Sequence, residues 1–566
     1  MVDENYIHAI FPHRDTGGRP SYRRHQFEVI RDALSAMESG TETVVIEAPT
    51  GSGKTDIAKT VAMYMTRDFE TVRRQASGEP DPSMMMSSAQ AHMVTSMKML
   101  QDAYLKTAGE VVLLKGKSNY VCAKDPRDSL SLLDSAGYEF TCSDADMFYG
   151  GKGCEDRKCP YLAARALAHD RPLALHNFDS FLSQVCLGKV FPHPRALITV
   201  DEAHNVEDKI ISFSAVEVNS SMLQAIGLKW EPLVNEPDSG PWLIDINAKV
   251  AALATLARTE ISNLRVIYQG SNRPADGKRI RTLSKTLKIC DDIVQRSQRY
   301  LSSVDAKKGK PLRWIVDFDT ESTRFEPVQG GRFVREALLK WGRKQLLLSA
   351  TFLDGDNAYS HALKLRPGTT KKFAVPSTFP ADRRPVIKRY IGNMGYRDFE
   401  ANGPLLASEL AKIVDENPGR RGVIHCTSYA IAEKLRLSLK SPRLVWHGKD
   451  DREAVVKQFL SRGKAADAVL VGVGLTEGYD FAGDLCRFQV LIKIPYPFPS
   501  KRLKARAESD PRHMDWRTCL TLVQTYGRGM RSADDYCNTY VLDDRFDRFV
   551  KVNKGQLPGW FLESIR

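Results

Sequence analysis

The sequence predicts an α/β protein of several domains, built on parallel sheets whose faces are covered by helices. Three observations carry that prediction. Short apolar strands alternate with helical segments along most of the chain. A glycine-rich turn closes one of those strands and opens a helix. The chain has 566 residues, too many for a single apolar core.

Thr43–Glu47 (TVVIE) reads as the first strand, with the glycine-rich turn behind it and a helix over residues 54–65. Residues 76–83 (ASGEPDPS) have loop composition, and residues 84–88 read as a strand whose three methionines fill a core. Residues 111–114 (VVLL) and 196–200 (ALITV) are further short strands. From about 209 to 330 the pattern becomes helical. Ile246, Val250, Leu253, Ala257 and Ile261 recur at spacings of three and four, as do Leu283, Leu287, Cys290 and Val294. Turn-rich breaks fall at 236–241, 270–279 and 305–311. Strands return at 345–348, after Pro385, and at 423–425, 468–472, 488–493 and 539–542, with helices at 430–439 and 452–460 between them. No repeat of solenoid period and no low-complexity tail is present.

An apolar content of 42% and a charged content of 27% describe a soluble globular protein. No apolar run approaches the roughly 18 residues of a membrane span. Residues 1–12 lack the apolar segment of a secretory signal, so the cytoplasm (or a nucleus) is the expected compartment. Lys and Arg number 82 against 69 Asp and Glu, a net charge of +13 that suits a polyanion such as nucleic acid or reflects ordinary surface charge. Ten cysteines in that compartment are not read as disulfides. Six of them, Cys186, Cys290, Cys426, Cys486, Cys519 and Cys537, sit among apolar neighbours and are expected to be buried.

Residues 48–55 read APTGSGKT, the phosphate-loop pattern with alanine in place of its first glycine. Gly51, Ser52 and Gly53 can turn their amide N–H groups inward as an anion nest. Lys54 adds a point charge for the β and γ phosphates of ATP, Thr55 offers a hydroxyl to Mg²⁺, and the helix N-terminus adds its dipole. Asp201-Glu202-Ala203-His204 ends a later strand. Asp201 is the expected Mg²⁺ partner, Glu202 the group that orients the attacking water, and His204 a link to the nucleic-acid side. Near the C-terminus, Arg528 and Arg531 lie three apart on one side of a helical turn, placed to reach a γ phosphate, with Gln524 as nucleotide sensor. Each segment alone could be a plain turn, an acidic turn or a basic helix face; their order along the chain favours one site.

Cys122, Cys142, Cys154 and Cys159 are separated by nineteen, eleven and four residues. None of these gaps is the two-residue gap of a zinc ribbon. Four thiolates on irregular, glycine-containing loops suit a [4Fe–4S] cluster stapling a small domain. A zinc site and unligated cysteines are the alternatives.

The ordered motifs resemble those of superfamily 2 helicases. Tyr22 to Gln26 looks like their adenine-reading element, with Gln26 as the adenine contact, and Ser349-Ala350-Thr351 looks like the motif that couples hydrolysis to strand movement. Residues 471–481 look like their fifth motif, with Thr476, Glu477, Gly478 and Asp480 at matching places. Residues 87–99 occupy the slot of a strand-contacting motif without its usual Thr-x-x-Gln wording; Gln90 and His92 are candidates there. Lys115 to Cys122 and Cys159-Pro160-Tyr161 bracket the cysteines as in XPD/DinG-type helicases, and His176-Asn177-Phe178 and residues 201–207 (DEAHNVE) are similar too. Nearly the whole chain is covered, although the Cys142 to Cys154 spacing is compact for that family.

The resemblance implies two RecA-like P-loop motor domains with ATP between them. The first comprises residues 1–110, 172–208 and 331–376, and the second residues 377–566. An iron–sulfur domain at 111–171 and a mainly helical arch at 209–330 are inserted in the first. ATP, Mg²⁺ and a [4Fe–4S] cluster are the implied cofactors, single-stranded and forked DNA the implied partner, movement 5′ to 3′ the implied polarity, and a monomer without membrane contact the implied state. Lys115, Lys117, Lys152, Arg157 and Lys158 surround the cluster segment, and Tyr120, Phe148, Tyr149 and Tyr161 either stack on bases or fill a small core. Two other classes stay open: an ATPase that translocates on DNA without unwinding it, and a non-enzymatic nucleotide-binding scaffold, against which the intact Lys54, Asp201, Glu202 and Arg528 argue.

Overall fold

The computed structural model describes residues 2–49, 51–79, 81–95, 101, 104–105, 111–121, 159–188, 190–271, 273–304, 312–354, 357–395, 398–461, 467–475, 479, 481, 483–530 and 535–566. Its first strand, β1 (Thr43–Glu47), is apolar on both faces and buried almost to its end, the signature of an interior parallel strand. Then come β2 (Ala91–Thr95), β3 (Val111–Leu113), β4 (Leu173–Asn177) and β5 (Arg195–Asp201). Next is a separate antiparallel group, β6 (Val216–Asn219), β7 (Trp314–Phe318) and β8 (Ser322–Pro327), in the order β6-β8-β7. The chain returns to the first sheet with β9 (Gly342–Ser349) and β10 (Thr370–Ala374).

The order β10-β1-β9-β5-β2-β4-β3 is parallel throughout. This order fixes where the site can be. Because β1, β9 and β5 are adjacent, the segments leaving their carboxyl ends after Glu47, Ser349 and Asp201 share one edge of the sheet. Glu47 lies directly opposite Ser349 in the ladder. That edge is where open α/β sheets bind ligands.

A second parallel sheet contains β11 (Val386–Gly392), β12 (Gly422–Cys426), β13 (Leu444–Trp446), β14 (Val469–Val473), β15 (Phe488–Leu491) and β16 (Asn538–Asp543), in the order β11-β16-β15-β12-β14-β13. One apolar cluster runs from Val45, Ile198 and Leu347 through Phe352 and Tyr359 to Trp516, Tyr526 and Phe561, so the two sheet units meet over shared core.

Two expectations, at residues 84–88 and at the break over 270–279, need correction. Residues 84–88 are not a strand: Ser83–Ser87 is a short helix, and Met84 and Met85 are exposed. Asp81 accepts from the Ser83 amide and hydroxyl and starts that turn, so the strand begins only at Ala91. Residues 209–330 are mainly helical, as the spacing predicts, and carry in addition the short strands β6, β7 and β8. The break expected over 270–279 is narrow, because helices Ser239–Ser271 and Pro274–Val304 run through most of it as one long hairpin. The periodic residues Val250, Ala257, Ile261 and Cys290 are buried as the spacing requires. Of the six scattered cysteines, five are buried and Cys186 is partly so. Among the described residues no helix is long and apolar enough to cross a membrane.

Candidate nucleotide-binding site

At the end of β1 the chain must turn sharply into helix Lys54–Met65, and the glycines make this possible. Gly51 and Gly53 have φ of +81° and +76°. A side chain at Gly53 would be strained there and would also strike Gln26, whose Nε2 lies 2.3 Å from the place of its Cβ. Gln26 is buried, accepts from the Arg23 amide at 3.0 Å and donates to the Gly53 carbonyl at 3.1 Å. Arg23 donates to the Gly51 carbonyl. The expected adenine-reading segment is therefore fastened to the phosphate loop. Tyr22 joins His8, Phe11 and Phe27 in an aromatic cluster beside it, and burial pushes its hydroxyl up to about 12.

Ser52 folds back on the Pro49 carbonyl at 2.6 Å, and Lys54 Nζ lies 3.3 Å from the Ala48 carbonyl. Thr55 occupies the first turn of the helix. Asp201 is buried at the carboxyl end of β5, where it accepts from Tyr104 Oη at 3.0 Å and from the Glu202 amide at 2.9 Å. Burial, and then Glu202 beside it, pushes the Asp201 carboxyl up, while Lys54 pulls it back down. A buried carboxylate crowded by another carboxylate is a position that a divalent cation relieves, so Asp201 fits the demands of Mg²⁺. Glu202 holds φ at +53°, a left-handed value rare for its type, which directs the chain into the turn carrying His204.

His204 is the hub of the site. Its Nδ1 lies 2.7 Å from Ser349 Oγ and 3.4 Å from Glu202 Oε2. Its Nε2 meets Gln524 Nε2 at 2.7 Å. The amide donates, so that ring nitrogen accepts and the proton sits on Nδ1. Gln524 also donates to Thr351 Oγ1 at 3.3 Å, and Ser349 Oγ accepts from the Thr351 amide at 3.1 Å. Thus the acidic motif after β5, the Ser-Ala-Thr segment after β9 and helix His513–Tyr526 of the second sheet unit form one hydrogen-bonded network.

Arg528 lies just past the end of the helix that bears Gln524. The α-helix ends at Tyr526, and Arg528 lies on the short 3-10 turn Gly527–Gly529, donating to the Tyr479 carbonyl at 2.9 Å. Arg531 and Glu477 lie outside the described residues, as do Thr476, Gly478 and Asp480. Gln90 and His92 prove to be interior groups. Gln90 donates to the carbonyls of His169 and Arg171, and His92 is buried against His176, Phe181 and Phe191.

Of the four clustered cysteines only Cys159 is described. It is buried just ahead of helix Pro160–Asp170, in the apolar cluster with Leu114 and Tyr161. Cys122, Cys142 and Cys154 lie outside the described residues, together with Phe148, Tyr149, Lys152, Arg157 and Lys158. Among the described residues no group of three or more metal-binding side chains occurs. Tyr161 is buried, with Tyr120 edge-on at 5.6 Å and Lys117 over its ring, so it fills core and is not a stacking surface.

Three participants carry no motif signal: Tyr104, Glu47 and Trp516. Glu47 alone leaves a trace in the sequence, as a charge ending an otherwise apolar strand.

A helicase C-terminal domain model matches residues 410–564, and the DEAD_2 family model matches residues 133–223. The ATP-dependent DNA helicase YoaA of Escherichia coli (strain K12) is 23% identical, over 94% of this chain and 92% of that protein. The ATP-dependent DNA helicase CHL1 of Meyerozyma guilliermondii is 22% identical, over 73% of this chain and 60% of that protein. Among solved structures, S. tokodaii Xpd4 matches with a TM-score of 0.54 and 15% identity, over 96% of this chain and 99% of that one, a likeness of fold.

Proposed function

The chain belongs to the XPD/DinG-type, Rad3-like branch of superfamily 2 helicases, and from that premise we propose that it hydrolyses ATP between its two sheet units to move 5′ to 3′ along single-stranded DNA and open forked duplex. The observation that carries this reading is the His204 network. Gln524, on the second unit, donates to both His204 and Thr351, on the first. Any change at the phosphate site that moves one of these partners must move the others or break these hydrogen bonds.

In this reading residues 1–110, 172–208 and 331–376 form the first motor and 377–566 the second, with the cluster domain at 111–171 and the arch at 209–330. Lys54 and the amides of residues 51–53 hold the β and γ phosphates. Glu202 orients the attacking water, and Arg528 and Arg531 approach the phosphates from the second motor, with Gln26 on the adenine and Glu477 on the nucleotide. Thr55 and Asp201 would hold Mg²⁺, which when bound would supply charge neutralisation for the phosphate oxygens. Cys122, Cys142, Cys154 and Cys159 would hold a [4Fe–4S] cluster, which supplies a covalent staple for a domain with little apolar core. That domain acts as the wedge at the fork. Grip on the strand is through phosphates, which makes movement tolerant of sequence and sensitive to salt.

The deciding experiment is purification without air, an absorption spectrum, and unwinding of forked, 5′-tailed and 3′-tailed duplexes. The expected result is a brown, iron-bearing protein that opens forked and 5′-tailed substrates only with ATP, and a Lys54→Ala variant that does not. A colourless zinc protein refutes the cluster. Displacement of streptavidin from DNA without strand separation replaces unwinding by translocation.

A further inference from the structure

We propose that Glu47 is a positioning residue which, through the loop after β9 and the indole of Trp516, ties the phosphate loop to the helix that bears Gln524 and leads into Arg528. Glu47 is the last residue of β1, directly ahead of Ala48. Its Oε2 accepts from the backbone amides of Phe352 at 2.7 Å and Leu353 at 2.8 Å. The carbonyl of that same Phe352 accepts from Trp516 Nε1 at 3.0 Å. Trp516 is 1% exposed and sits on helix His513–Tyr526. On its other side Glu47 continues into Ala48, whose amide donates to the Ser349 carbonyl at 2.8 Å and whose carbonyl meets Lys54 Nζ. A connected path therefore runs from Lys54 through Ala48, Glu47 and Phe352 to Trp516. Its side chains are not those of the His204 network.

Two features separate this path from ordinary packing. The first is charge. Every other residue of β1 is buried and the strand is apolar on both faces, so an apolar residue would suit position 47. A largely enclosed carboxylate is costly unless its oxygens are satisfied, and this one, only partly exposed, has no ion-pair partner among the described residues and faces the like charge of Asp354. Two charge-assisted hydrogen bonds from consecutive amides offset that cost and are lost if the loop moves away. The second is backbone strain. Leu353 holds φ at +52°, so the loop keeps a shape that its own residue type disfavours. The carboxylate fixes the loop in this shape, and the loop then presents the Phe352 carbonyl to Trp516.

The inference rests on the chain being a DNA-stimulated ATPase, and the test separates the two. Glu47→Gln keeps the size and removes the charge. Trp516→Phe keeps a buried aromatic ring and removes the donor together with part of the indole, a packing loss that thermal melting reads separately. Each variant and the double variant are made in the full chain and assayed for ATP turnover with and without single-stranded oligothymidylate, for KM of ATP, and for thermal melting. Each single variant is expected to keep KM within about twofold and to lose DNA-stimulated kcat by about tenfold. The double variant should be no worse than the poorer single one, because both cut the same path. Retained DNA stimulation in Trp516→Phe, or losses that multiply in the double variant, overturns the relay. Should Glu47→Gln not fold, Trp516→Phe decides alone. A wild-type protein without DNA-stimulated turnover refutes the functional reading instead.

Discussion

Gln524 shows how much one amide can carry. Its single Nε2 reaches His204 at 2.7 Å and Thr351 at 3.3 Å, so both contacts disappear together on truncation to alanine. Each neutral hydrogen bond is worth about 1 kcal/mol net, and leaving the buried His204 nitrogen unmet adds to the loss. The predicted consequence of Gln524→Ala is a fall of about tenfold in DNA-stimulated turnover with little change in ATP affinity. Fluorescent-nucleotide titration beside steady-state hydrolysis measures the two separately; equal loss in both would place Gln524 on the nucleotide and not on the coupling. Residues of this kind were legible in the sequence because motif spacing names them: Lys54, Asp201, Glu202, His204 and Gln524 are all at the expected strand or helix ends. Tyr104 and Trp516 were not. Their role is set by a partner 97 and 164 residues away, and no local pattern encodes such a distance.

Elements were legible where their period was clean. The alternating Val216 to Asn219 and Ser322 to Pro327 strands have that cleanness too, with burial alternating along each, but they are short and separated by the two long helices. A reading dominated by helical spacing absorbs such strands. Residues 84–88 fail for a different reason. Three methionines in a row have no period, and hydrophobicity without period does not distinguish a strand from an exposed helical turn. The hairpin Ser239–Ser271 and Pro274–Val304 packs on the small sheet through Val250, Cys290, Ile293 and Phe325, a core of its own. Ile293 is 1% exposed. Ile293→Ala should cost about 2–5 kcal/mol, confined to that core. Amide exchange is expected to quicken over residues 239–304 while DNA-independent ATP hydrolysis stays at the wild-type rate. Uniform exchange across both parallel sheets would show that the hairpin is not a separate cooperative unit.

The whole molecule couples its stability to pH through four buried histidines, His92, His176, His425 and His513, and the partly buried His169. Burial is the leading cause in each of five. It holds His92 well below the ordinary imidazole value, brings His176 and His513 down to about 3, and brings His169 and His425 down to about 4. His92 and His176 are 3.2 Å apart in the first unit, so a proton on one opposes a proton on the other. Unfolding releases each ring to its usual value near 6.5, where it takes up a proton on acidification. Stability from these groups is therefore complete above about pH 6.5 and is lost as pH falls toward the folded values. Three carboxyls, Asp201 and Glu207 buried and Glu47 partly so, act in the opposite direction. Burial raises Glu47, Asp201 and Glu207, so the folded state gains protons there before the unfolded state does. Five histidines against three carboxyls leave acidification below about pH 6.5 as a net loss of stability. The urea midpoint should thus drop on going from pH 7.5 to pH 5.5. Both units contribute, since His92, His169 and His176 surround the first sheet and His425 and His513 belong to the second, so loss of both is expected together. A midpoint that rises on acidification would mean that the three carboxyls, clustered at the nucleotide edge and its junction with the second unit, outweigh the histidine interior.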